Sequence, residues 1–229
     1  MDTISIHTLY ASPEELPLDP AEVARRLMDA PDAEAAIAAL SALLRRAGRA
    51  PAYRACFARV PAAVEGACVT LPGGRVESEQ LARHLAGCRE AFLLAVTAGF
   101  GLDRFAQRHA EDPAEAAACR AIGAAALDLW TEAVCGALRE SAGLPLSSRC
   151  CPGQGDFPAA WRETLLRTLG TEERIGLSAE GGRYQPTWSL AAVVGIQSTF
   201  SASTFPAGCT PASCATCRKD CALRPAPEA

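Results

Sequence analysis

The chain has 229 residues, 49% hydrophobic and 21% charged, enough apolar material for one substantial core or a domain with a small appendage. Its formal net charge of −4 removes the sequence-independent attraction to phosphates on which nucleic-acid binders rely, so no nucleic-acid partner is expected. The N-terminus lacks a basic region followed by an apolar run, and no later stretch offers about 18 uncharged apolar residues; the chain therefore reads as cytoplasmic, neither exported nor membrane-spanning.

In chain order, Pro13, Pro17 and Pro20 punctuate the lead, Asp19 caps a short helix, and Asp32 caps a second over 33–47 with Ile37, Leu40, Leu43 and Leu44 on one face. Gly48 ends it. Residues 53–60 predict a strand and 68–71 another, after which Pro72-Gly73-Gly74 turns the chain toward a short extended piece at Val76, as in a hairpin. Ser78, between Glu77 and Glu79, opens a helix through Ala86, and 91–97 is a continuous apolar run of strand length.

A helix is expected over 102–110, and a longer one from Pro113, behind Asp112, to about Ser141. Ile122, Leu127, Leu129, Trp130, Val134 and Leu138 give this long helix a broad buried side, and Gly143 and Pro145 stop it. The segment 158–169 repeats Trp161, Leu165, Leu166 and Leu169 at helical spacing. Residues 189–196 form a buried-type strand, and the Ser/Thr/Pro-rich stretch 198–208 reads as a linker.

Eleven cysteines divide into seven scattered through apolar segments and four crowded near the C-terminus. Cys56, Cys68, Cys88, Cys119 and Cys135 fit small buried hydrophobes of a reducing compartment. The terminal set, Cys209-x4-Cys214-x2-Cys217-x3-Cys221, places four thiols within one short segment, able to enclose zinc or to bind a 4Fe–4S cluster. Its close spacing favours iron–sulfur, since zinc fingers separate two cysteine pairs by a dozen or more residues. His7, His84 and His109 lie far apart and suggest no triad.

The most informative stretch before the tail is Arg149-Cys150-Cys151-Pro152-Gly153-Gln154-Gly155-Asp156-Phe157-Pro158. Two glycines beside a proline permit a tight turn with close backbone approach, directly before a helix whose N-terminal amides favour an anion or polar ligand. Arg149 offers a planar fork for a carboxylate, and Asp156 is placed to cap the helix that follows. The adjacent thiols Cys150 and Cys151 pack, or take a redox or ligand role.

This stretch resembles the Arg-x-x-Pro-Gly-x-Gly-Asp-x-Pro signature of the activation domain of cobalamin-dependent methionine synthase and its stand-alone relatives. Further landmarks follow in order: AFLLAVTAGFG from Ala91 to Gly101, Ala121-Ile122-Gly123 leading to Glu132, Ile175-Gly176-Leu177, and Pro186-Thr187-Trp188-Ser189. Gln154 stands where a tyrosine is usual and Ala121 where an acidic residue is common; Tyr184 or Trp188 is then the source of an aromatic contact. The likeness spans roughly residues 50–200.

The resemblance implies an α+β fold, a single mixed domain with a twisted, largely antiparallel sheet flanked by helices. It divides the chain into an N-terminal helical segment (1–48), a domain that binds S-adenosylmethionine (49–200), and a linker with a cysteine-rich metal-binding tail (201–229). The implied site comprises Arg149, Cys151, Pro152, Gly153, Gln154, Glu132 and Tyr184, with Asp128 as the alternative to Glu132 for the ligand's ammonium or ribose. The implied activity is reductive methylation in methionine biosynthesis: an inactive cobalt(II) corrinoid takes one electron and captures the S-adenosylmethionine methyl as cobalt(I). No catalytic side chain is expected, because sulfonium and corrinoid carry the reactivity. Cobalamin enters through a partner, a methionine synthase or corrinoid methyltransferase, together with an electron donor. Two alternatives stand beside this: a scaffold or sensor of S-adenosylmethionine with a structural metal tail, and an iron–sulfur electron-transfer activator of corrinoid proteins.

Overall fold

A computed structural model describes residues 4–28 and 33–197. The elements run β1 (Ile6–Ala11), α1 (Pro20–Arg25), α2 (Ala33–Ala47), β2 (Tyr53–Pro61), β3 (Ala63–Glu65), β4 (Cys68–Leu71), β5 (Gly74–Glu77), α3 (Glu79–His84), β6 (Glu90–Thr97), α4 (Phe100–Arg108), α5 (Pro113–Ala142), α6 (Trp161–Leu169), α7 (Thr171–Ile175), β7 (Ser178–Glu180), β8 (Arg183–Gln185) and β9 (Ser189–Ile196). The expected α+β class, with antiparallel sheets flanked by helices, is what the chain forms. The cysteine tail and the linker before it lie outside the described residues.

The central sheet has the order β1-β2-β6-β9 and every pair in it is antiparallel. Both of its faces are covered, which explains why β6 and β9 read as unbroken apolar runs rather than as alternating ones. With a side-chain period of two, Phe92, Leu94 and Val96 face one core, together with Leu40 and Leu43 of α2, Phe105 of α4, and Ile122 and Leu138 of α5. Leu93 and Ala95 face the other, with Leu81 of α3, Phe157, and Leu165 and Leu169 of α6. By length and composition α5 could cross a membrane, but more than half of its most apolar stretch is buried inside the protein.

Caps decide the element boundaries. Asp19 accepts from the Ala21 amide at α1, Ser78 from Leu81 at α3, and Asp112 from Ala114 and Glu115 at α5, all as their residue types predict. Gly143, left-handed, closes α5. Two expected helices start elsewhere: α4 begins at Phe100 rather than 102, and α6 at Trp161 rather than 158. The residues 158–160 that were expected in α6 instead make the turn bonds Trp161 N to Pro158 O and Arg162 N to Ala159 O. Strands β1, β3, β7 and β8 and the five-residue α7 were not anticipated; they are short or carry polar residues that blur the period.

Candidate functional site

The segment 145–150 leaves α5 and runs antiparallel along β9. Ser147 N donates to Gly195 O at 2.8 Å, Cys150 N to Val193 O at 2.9 Å, and Val193 N returns to Cys150 O at 2.9 Å. These bonds fix the turn from Arg149 to Asp156 against the edge of the central sheet. Cys150 is fully buried there, and burial pushes its thiol up to about 12, so it is a packing residue. The turn itself is tied by Gly153 N to Phe157 O at 2.7 Å and Gln154 N to Cys151 O at 3.0 Å. Gly153 has φ +94, which side-chain-bearing residues rarely adopt.

Two of the residues singled out in the sequence meet directly. Arg149 Nη1 donates to Glu132 Oε1 at 2.7 Å; the arginine side chain is 31% exposed and the glutamate 67%. Burial works against the Arg149 charge, but the Glu132 carboxylate and the neighbouring Cys135 outweigh it and raise its pKa further. Asp128, the alternative to Glu132, is committed to Arg26 at 2.8 Å. Cys151 is half-buried; burial raises its pKa, while Arg149 and Arg162 oppose that rise. Pro152 is buried in the turn.

The Gln154 side chain turns back on its own loop, where its Oε1 accepts from the Cys151 amide at 2.9 Å. Tyr184 sits on β8, half-buried, its hydroxyl accepting from Ala191 N of β9 at 3.1 Å; burial raises its pKa. Asp156 is not the cap of the following helix that its position suggested. It reaches across the fold to α3, accepting from Ser78 Oγ at 2.7 Å, Glu79 N at 2.6 Å and Gln80 N at 3.1 Å. The helix it was expected to cap, α6, begins five residues later and has no side-chain cap.

Sequence reasoning missed Arg162. This half-buried guanidinium donates through Nη1 to Gly182 O at 2.5 Å and lies 5.6 Å from the centre of the Tyr184 ring. Its position on the first turn of α6, one turn before the apolar positions, gave no periodic signal. The four scattered cysteines Cys56, Cys88, Cys119 and Cys135 are buried as expected, but Cys68 is partly exposed, with its Sγ against Arg75 Nε. Cys68 sits on β4 of the small sheet β3-β4-β5, which leaves it against Arg75 of the adjacent β5 rather than in the core. Among the described residues no cluster of three metal-ligating side chains occurs. A cleft of about 470 Å³ lies elsewhere, on α6, α7 and β7, lined by Glu163, Arg167, Thr171, Glu172 and Ser178, and none of the expected site residues borders it.

No family model and no curated protein matches the sequence. Among solved structures, that of the MetH reactivation domain bound to AdoHcy is similar, with a TM-score of 0.63 over 89% of this chain and 82% of that one at 13% identity. At that identity the likeness is one of fold: the chain shares the architecture of the MetH reactivation domain.

Proposed function

We propose that this protein binds S-adenosylmethionine at the Arg149 turn and supports reductive methylation of a corrinoid carried by a separate methionine synthase or corrinoid methyltransferase. The observation that carries the reading is the Arg149–Glu132 pair at 2.7 Å, on a turn bonded to β9. A guanidinium beside a carboxylate is the charge complement of a zwitterionic amino-acid head: the fork meets the ligand's carboxylate and Glu132 its ammonium. The fold likeness supports it, since the MetH reactivation domain holds AdoHcy, which is S-adenosylmethionine without its methyl.

The residues fit such a ligand. Gly153, with positive φ, is exposed and leaves backbone accessible; Tyr184 supplies an aromatic face within the same neighbourhood, sharing Arg162 and Cys151 with the turn. The methyl and the reducing chemistry would come from the sulfonium and the partner's corrinoid; this chain binds and orients. Glu132, 67% exposed, leaves one side of the site open to a docking partner.

Calorimetry with S-adenosylmethionine tests the first half. Loss of a charge-assisted fork in Arg149→Ala costs about 1.5–3 kcal/mol, roughly 10- to 150-fold in Kd. An absence of heat with the unsubstituted protein removes the reading. For the second half, loss of the cobalt(II) absorption band is followed with a corrinoid protein, S-adenosylmethionine and a reductant.

The turned-in Gln154 favours a second reading, a sensor or scaffold that binds the nucleotide without donating its methyl. Binding without any change at cobalt supports it. The tail set Cys209, Cys214, Cys217 and Cys221 belongs to the proposal on its spacing alone, as an iron–sulfur relay with zinc as the alternative. A brown chromophore in anaerobic protein, lost in Cys217→Ser, supports the relay; colourless protein with one zinc refutes it.

A further inference from the structure

Arg162 touches three separate parts of the candidate site. Its Nη1 donates to the carbonyl of Gly182, in the tip of the β7–β8 hairpin, at 2.5 Å. Its Cζ lies over the ring of Tyr184 on β8, 5.6 Å from the centroid. Its Nη2 occupies the space beside Gly153, where an added Cβ would lie 2.7 Å away. Two different terminal nitrogens and the cation over the ring are used at once, a set of contacts that a single ammonium nitrogen cannot match. No carboxylate among the described residues forms an ion pair with it.

The backbone bonds of the turn stay within the turn or go from Cys150 to β9, and those of the hairpin join β7 to β8. Both reach β9, the turn through Cys150 and Tyr184 through its hydroxyl on Ala191 N, but neither set joins the turn to the hairpin directly. Arg162 is the side chain that touches both directly, and it is itself anchored on α6, whose Leu165 and Leu169 are fully buried. We infer that Arg162 is the positioning residue of this site, bracing the 151–155 turn against the β7–β8 hairpin so that Tyr184 and the Arg149 turn stand at a fixed separation before the ligand arrives. The ligand consequence rests on the proposed function; the bracing itself does not.

Since Arg162 pairs with no carboxylate, its removal strands no buried anion, and Arg162→Ala is expected to fold. Amide hydrogen exchange on the free protein reads the brace. In Arg162→Ala the Gly153 and Gln154 amides and those of β7 and β8 exchange roughly tenfold faster, while β6 is unchanged; Arg162→Lys, which keeps the cation over Tyr184 and one donor, recovers part of the protection. Faster exchange in only one of the two segments, or in neither, overturns the inference. Calorimetry with S-adenosylmethionine supplies the second readout: about tenfold weaker binding in Arg162→Ala, partly rescued in Arg162→Lys. If the unsubstituted protein binds and Arg149→Ala does not, yet Arg162→Ala binds normally, the inference falls and the proposed function stands. If nothing binds while both segments loosen together, the function falls and the brace stands.

Discussion

Phe157 is where the candidate site is moored to the core, and Phe157→Ala measures how strongly. The side chain is 1% exposed, packed in the core beneath the sheet with Leu165, Leu166 and Leu169, its ring centre 6.1 Å from that of Trp161. Its backbone closes the turn, with the carbonyl accepting from Gly153 N at 2.7 Å and the amide donating to Gln154 O at 3.0 Å. Truncation removes a ring of about 150–250 Å², worth roughly 4–6 kcal/mol at 25 cal/mol per Å². Because alanine keeps the buried Cβ and such areas are upper bounds, the expected loss is about 3–5 kcal/mol, in line with other Phe to Ala core changes. For a chain of this size each kcal/mol moves Tm by about 2–4 °C, so the melting point falls by about 6–20 °C. Urea unfolding followed by circular dichroism gives the free energy directly, and Phe157→Leu, which nearly conserves volume, costs less than about 1.5 kcal/mol. A loss below about 1 kcal/mol in Phe157→Ala refutes the argument that this ring holds the turn to the core.

Two further substitutions test the surrounding architecture. Gly123 on α5 lies against the Trp188 indole, where an added Cβ would stand 2.2 Å from Cε2 and 2.4 Å from Cδ2. Overpacking costs about 1–3 kcal/mol against about 1 kcal/mol gained in helix propensity, so Gly123→Ala lowers stability, and the sign reverses in a Trp188→Ala background; no reversal defeats the steric reading. Hydrogen bonds from Ser78, then from the Gln80 and Glu79 amides, hold the Asp156 carboxyl below its ordinary value of 3.8. A depressed folded-state pKa contributes stability above the unfolded value and loses it as pH falls through the folded one. Below about pH 4 the unsubstituted protein therefore loses a stability increment that Asp156→Asn lacks at every pH; parallel stability curves for the two proteins contradict this.

Residue types and spacing determined much of this protein without coordinates. The unbroken apolar runs at β6 and β9, the caps Asp19, Ser78 and Asp112, and the stop at Gly143 were legible because each is a local matter of periodicity or of unsatisfied amides within one turn. The Pro-Gly-x-Gly turn, too, announces itself through conformations that glycine alone tolerates. What the tertiary structure decided is pairing at a distance. It placed Glu132 beside Arg149 and gave Asp128 to Arg26, sent Asp156 to a helix 77 residues away in sequence instead of its own, and set Arg162 between two segments that neither period nor propensity connects. A carboxylate or guanidinium follows whichever partner the fold brings within about 3 Å, and that choice depends on how helices cross the sheet, which no short stretch of sequence encodes.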